Sequence, residues 1–160
     1  MIPDPARRGQ ALAELYLMLG PRLFREIVEA GALPHRHGEA GFDTARAEWE
    51  CFALYACVRG LVAAGGFNRE TAAAINALHE RVLDPGAGAT RALTAERYAE
   101  YGAIGQEGGK AGAATVAQRL GEAAAHHMVA GEPPPALIEL VGALHEALVE
   151  GATEAVRQGE

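Results

Sequence analysis

The chain contains no serine. A serine nucleophile is excluded, and with it the Gly-x-Ser-x-Gly elbow of many hydrolases. Aromatic residues are scarce, at 6% of 160 residues, so alanine and glycine must fill much of any core. Cysteine occurs only as Cys51 and Cys57. Both fall on one expected helix with diverging side chains, which rules out a disulfide between them and points to a reducing compartment. Basic charge is short as well: Lys and Arg total 14 against 21 Asp and Glu, a formal net charge of −7. No basic stripe offsets this, so nucleic acid and anionic membrane surfaces are not expected partners. Long apolar runs are missing. The run 51–58 is closed by Arg59, far short of the ~20 residues of a membrane helix. The polar start MIPDPARRGQ has no signal-peptide core. A soluble cytoplasmic protein is expected, with no segment alternating convincingly enough for a strand.

What is present is helical patterning in a chain that is 49% hydrophobic. Asp4-Pro5 opens a first helix as N-cap and first helical residue. Leu12, Leu15, Leu19, Leu23 and Ile27 recur at helical spacing, and Gly20-Pro21 predicts a kink or break. Residues 31–42 read as a loop. There His35, Arg36 and His37 suit a helix C-terminus, with His35-x-His37 as a metal-ligand alternative. A second helix, from Asp43 or Thr44 to about Ala64, is apolar nearly all round between Trp49 and Val62 and is expected at the centre. Ala53, Ala56, Gly60 and Ala63 give it one small side for close helix approach. Glu48, Phe52, Tyr55 and Arg59 form another row. Its charges must be paired or reach water, or they line a polar pocket with Tyr55.

Asn68 predicts the N-cap of a third helix over 69–83, and residues 84–90 read as a linker. A fourth helix begins near Thr90 or Thr94 and enters the segment 101–115, which holds five glycines. A phosphate loop fails there, because Ile104 and Ala111 occupy its required Gly and Ser/Thr positions. Gly102, Gly105, Gly109 and Gly112 would form one smooth face on a continuous helix. A break or marked bend at Gly108-Gly109 is the competing expectation, because each glycine costs roughly 1 kcal/mol relative to alanine. A further helix runs to about Ala130, and a last one spans 135–157. The expected fold is all-α. It is a single domain over 1–160, a six- to seven-helix antiparallel bundle-like arrangement around the central apolar helix. Halves 1–84 and 90–160 are the alternative division.

That alternative comes from a weak repeat. Residues 62–83 and 128–149 align with Ala77-Leu78-His79-Glu80 over Ala143-Leu144-His145-Glu146. His79 shares a row with Ala72, Ile75 and Val82, and His145 with Ile138, Val141, Val149 and Ala152. Both histidines therefore lie at the margin of an apolar face, while Glu80 and Glu146 fall on polar sides. The bland expectation is two partly buried histidines bonded to carbonyls or carboxylates. The sharper one is a ligand site of His79 and His145 with Glu48, Tyr55 and Arg59. As a metal or haem site it would be completed by Glu122, His126 and His127. The standard signatures are absent. Asn76 and Gly142 stand where a di-iron Glu would, and Leu83 and Val149 where a second zincin His would.

No catalytic constellation emerges. The expectation is a non-enzymatic helical binding protein without a cofactor, acting through self-association as a homodimer and through another protein, by way of its Gly and Ala faces. The alternative is the small-ligand, metal or haem site just described, with or without catalysis. A pH-sensitive interface built from the six histidines is a weaker third idea.

Overall fold

The computed structural model describes residues 1–83, 88–108 and 113–158, and these form six helices with no strand. They are α1 (Pro5–Glu29), α2 (Ala40–Gly65), α3 (Arg69–Val82), α4 (Gly88–Gly108), α5 (Ala113–Met128) and α6 (Pro135–Gln158). Among the described residues no helix is long and apolar enough to cross a membrane.

Local chemistry sets several boundaries. The Asp4 carboxylate accepts from the Ala6 amide at 3.1 Å and starts α1. The expected interruption at Pro21 does not end the helix. Leu12 before it and Phe24 and Ile27 after it are buried in the same core, and the Trp49 indole donates to the Gly20 carbonyl at 2.9 Å. Tertiary packing on both sides thus holds α1 together through its proline. Asn68 joins α2 to α3: its amide donates to the Gly65 carbonyl at 2.7 Å and its carbonyl accepts from the Thr71 amide at 2.9 Å. Between them Gly66 turns the chain at φ +79°, where a side chain would be strained.

α2 packs against all five other helices, as its apolar circumference requires. Its small side receives α6, and a Cβ added at Gly60 would collide with the Ala152 side chain. The two helices run parallel: Phe52 stacks on His145, Arg59 pairs with Glu146, and the Ala63 carbonyl accepts from Arg157. Sequence neighbours pair antiparallel instead. In α4 and α5, Glu107 meets Arg119 at 2.6 Å and Glu100 meets His127 at 2.7 Å. α4 and α5 are thus separate antiparallel helices and not one continuous helix over 101–115, while the expected break at Gly108-Gly109 falls at residues outside those described. In α5 and α6, a Cβ at Gly121 would stand 2.8 Å from the Ile138 carbonyl.

One hydrophobic cluster draws on every helix, including Leu12, Trp49, Phe52, Leu78, Tyr101, Leu120 and Leu137. Burying each of its larger side chains contributes roughly 1.5–3 kcal/mol. The repeat segments 62–83 and 128–149, which would make two related helical hairpins around the central helix, pack differently. α3 turns away from α2 to lie mainly on α1, whereas α6 packs on both α5 and α2.

Candidate functional site

α2 brings Tyr55, Val58, Arg59 and Val62 to one side, and α3 adds Thr71, Ala72 and Ile75. α4 and α5 face them with Gly102, Gly105, Gln106, Val116 and Leu120, and α6 supplies Glu146. Together they enclose an open cleft of about 880 Å³ with a mostly apolar wall. Phe67 stands at its rim in the α2–α3 turn, 93% exposed.

The glycines of α4 explain the space. A Cβ added at Gly105 would meet nothing within 4 Å, and one at Gly102 would first meet the Tyr55 hydroxyl at 4.0 Å. Among the described residues, the Gly105 part of the face expected to admit another helix is therefore uncovered. Gly109 and Gly112, the rest of that expected face, lie outside the described residues.

Arg59 and Glu146 supply the charges in the described wall. Arg59 Nη1 donates to Glu146 Oε1 at 2.6 Å, with the side chains 27% and 36% exposed. Among the described residues no other hydrogen bond or ion pair engages Arg59. Glu146 thus departs from the solvated position its helical phase implied: parallel packing of α6 on α2 turns that side of the helix onto Arg59. The Tyr55 hydroxyl also has no hydrogen-bond partner among the described residues. Burial raises its pKa above the usual value against the opposing pull of Arg59, so it remains a donor.

Behind the cleft lies a cluster of rings. Phe52 and His145 stack with centroids 3.9 Å apart and planes inclined by 18°. His145 is fully buried, and among the described residues neither ring nitrogen has a well-formed hydrogen bond, the Phe52 backbone being its nearest polar neighbour of note. Desolvation, aided by the Arg59 charge and opposed by the Phe52 backbone, lowers its pKa to about 3. The Tyr101 hydroxyl is buried and unpartnered as well. His79 is elsewhere, with Nε2 2.9 Å from the Tyr98 hydroxyl. From there the rings run through Tyr98 and Tyr55, 5.4 Å apart, to His145, 6.1 Å beyond Tyr55. Two tyrosines thus stand between the histidines that the repeat suggested as a pair. Neither histidine lines the cleft, although each borders a tyrosine of the same stack.

The other sequence candidates disperse. Glu48 leaves the cleft and forms a two-pronged ion pair with Arg97 at 2.7 and 2.8 Å, away from Arg59. His127 binds Glu100, His126 lies 3.9 Å from Glu132, and Glu122 is exposed. His37 packs on Phe42, while His35 lies beside Gly41. Among the described residues no three His, Cys, Asp or Glu side chains converge in a way that could hold a metal ion. The helices that carry the expected ligand set point it in several directions. Burial raises both thiols, Cys57 to about 12, so neither is an activated nucleophile.

No family model, curated protein or solved structure matches the chain. The cleft must therefore be read from its own residues. Of the site residues drawn from sequence as a ligand set, Tyr55 and Arg59 line it, and Gly102 and Gly105 join them from the expected interface. Sequence reasoning missed Glu146, Gln106 and Phe67. Phe67 carried a signal, since an aromatic between Gly66 and the N-cap Asn68 has no helix face on which to hide. Gln106 carried none.

Proposed function

We propose that this protein binds a small, largely apolar molecule in the cleft framed by α2, α3 and α4. One observation carries the reading: a hollow of about 880 Å³, apolar over most of its wall, on which Tyr55 and the Arg59–Glu146 pair converge. Ligand sites typically span roughly 300–1,000 Å³ and combine an apolar lining with a few placed polar groups. The two thiols, both held in their unreactive protonated form by burial, favour binding over thiol catalysis.

A neutral, environment-sensitive dye such as Nile red tests this. The protein is expected to bind it saturably at one site. Gly105→Leu should abolish that binding, because the new side chain enters open cleft space, and helix stability should rise slightly. Unchanged dye binding in folded Gly105→Leu protein would sink the assignment to this cleft.

Self-association is a second reading, and Phe67 favours it: a large apolar ring 93% exposed is the kind of surface a second copy covers. Light scattering across a concentration series should then show a dimer that Phe67→Ser dissociates. A strict monomer at every concentration counts against it.

A further inference from the structure

The polar groups of the cleft are unevenly used, and that imbalance identifies a ligand class. Arg59 spends one guanidinium nitrogen on Glu146, and its remaining donors meet no acceptor among the described residues. One helical turn earlier the Tyr55 hydroxyl is another unspent donor. Against these stand one engaged carboxylate, Glu146, the amide of Gln106 and the Thr71 hydroxyl, which is buried without a hydrogen-bond partner among the described residues and can donate or accept. A partly buried guanidinium with unmet donors favours an acceptor-rich anion that takes two of them at once. Glu146 is a poor permanent occupant. It reaches Arg59 from another helix through a single close contact, it is 36% exposed, and it can swing toward water at little cost.

We infer that the ligand is a soluble single-chain carboxylic acid, its apolar body in the cleft and its carboxylate on Arg59 and Tyr55, and that Glu146 is an internal competitor holding Arg59 when the cleft is empty. This rests on the ligand-binding reading of the cleft. Asn68 plays no part in holding the head group, because both ends of its amide are already committed to the α2–α3 turn.

The experiment is displacement of Nile red from the full chain by dodecanoic acid, dodecanol and dodecylamine. They share one tail and differ only in the head. The acid should displace the dye at a concentration roughly tenfold or more below the alcohol, as charge-assisted hydrogen bonds imply. Arg59→Gln should bring the acid down to the alcohol's level and leave the alcohol unchanged. Glu146→Gln should strengthen the acid several-fold without moving the alcohol, which a merely structural ion pair would not do. Equal displacement by acid and alcohol in the unmodified protein overturns the carboxylate assignment while the cleft reading stands. A preference for the amine overturns it in favour of Glu146 as the head's partner. Acid preference that Glu146→Gln weakens overturns the competitor role. Failure of the dye and of all three compounds to bind overturns the cleft reading itself.

Discussion

The segments Ala77-Leu78-His79-Glu80 and Ala143-Leu144-His145-Glu146 have the same residues in the same helical phase, yet the fold treats them differently. On α3 the histidine is half-buried and bonded to Tyr98, and the glutamate is exposed. On α6 the histidine is fully buried without a well-formed hydrogen bond among the described residues, and the glutamate is drawn into the cleft against Arg59. The cause is what lies next to each helix. α3 rests mainly on α1, so one side of it stays open, whereas α6 is gripped by α2 and α5 together. Four matching residues fix a helix face. They do not fix which neighbours that face will meet.

Acid provides the strongest way to break this contrast. His145 is held neutral, with a folded-state pKa of about 3 against 6.5 in the unfolded chain. The unfolded chain therefore takes up the proton first. The stability His145 contributes is complete above pH 6.5 and is lost as the pH falls toward 3, by about 1.4 kcal/mol per unit and roughly 5 kcal/mol over the whole window. His79 is shifted in the same direction by burial and Arg91, while keeping a hydrogen bond. Urea unfolding at a series of pH values should show His145→Phe losing most of this acid sensitivity and His79→Phe losing less. Equal effects would erase the distinction between the two copies.

Truncation at neutral pH is the next largest effect. His145→Ala removes a ring stacked within the core and should cost ~3 kcal/mol. His79→Ala removes a half-buried hydrogen bond and should cost ~1 kcal/mol. Both are read from urea midpoints at constant slope. Gly60→Ala attacks the environment of α6 instead. The added Cβ collides with Ala152, so α6 must shift from α2 at a cost of ~1–3 kcal/mol. The His145 acid sensitivity should weaken with it as water gains access. The smallest effect concerns the glutamates. Glu80→Gln should change the midpoint by less than ~0.5 kcal/mol. Glu146→Gln, which breaks a partly exposed ion pair, should cost no more than ~1 kcal/mol. If Glu80→Gln proved the costlier, the assignment of surface and cleft roles would be reversed.

Much of this fold was legible locally. Asp4-Pro5, Asn68 and the Ala53–Gly60 small side announce a helix start, a cap and a close contact within a few residues, and each appears as expected. The largely apolar middle of α2 declared its central place, because most of its circumference had to be covered. The site was less legible. Tyr55 and Arg59 lay on a readable row, but Arg59 meets a glutamate 87 positions later. Helical phase around Glu146 gives its angle on α6 and nothing about where α6 docks. The glycines of α4 misled for a related reason. A smooth face allows close packing, but only the neighbouring helices decide whether anything packs there, and α5 folds back and leaves Gly105 open.

The parallel pairing of α2 and α6 also sets an order of assembly. Parallel neighbours cannot be joined by a tight turn, so Phe52 must wait for His145 and Gly60 for Ala152. Such distant closures are slow, because chain entropy is lost before the contacts form. As the chain leaves the ribosome, α1, α2 and α3 exist well before α6. α2 therefore spends that interval with its small side uncovered, and such transiently bare apolar surface is what makes an incomplete chain prone to aggregate.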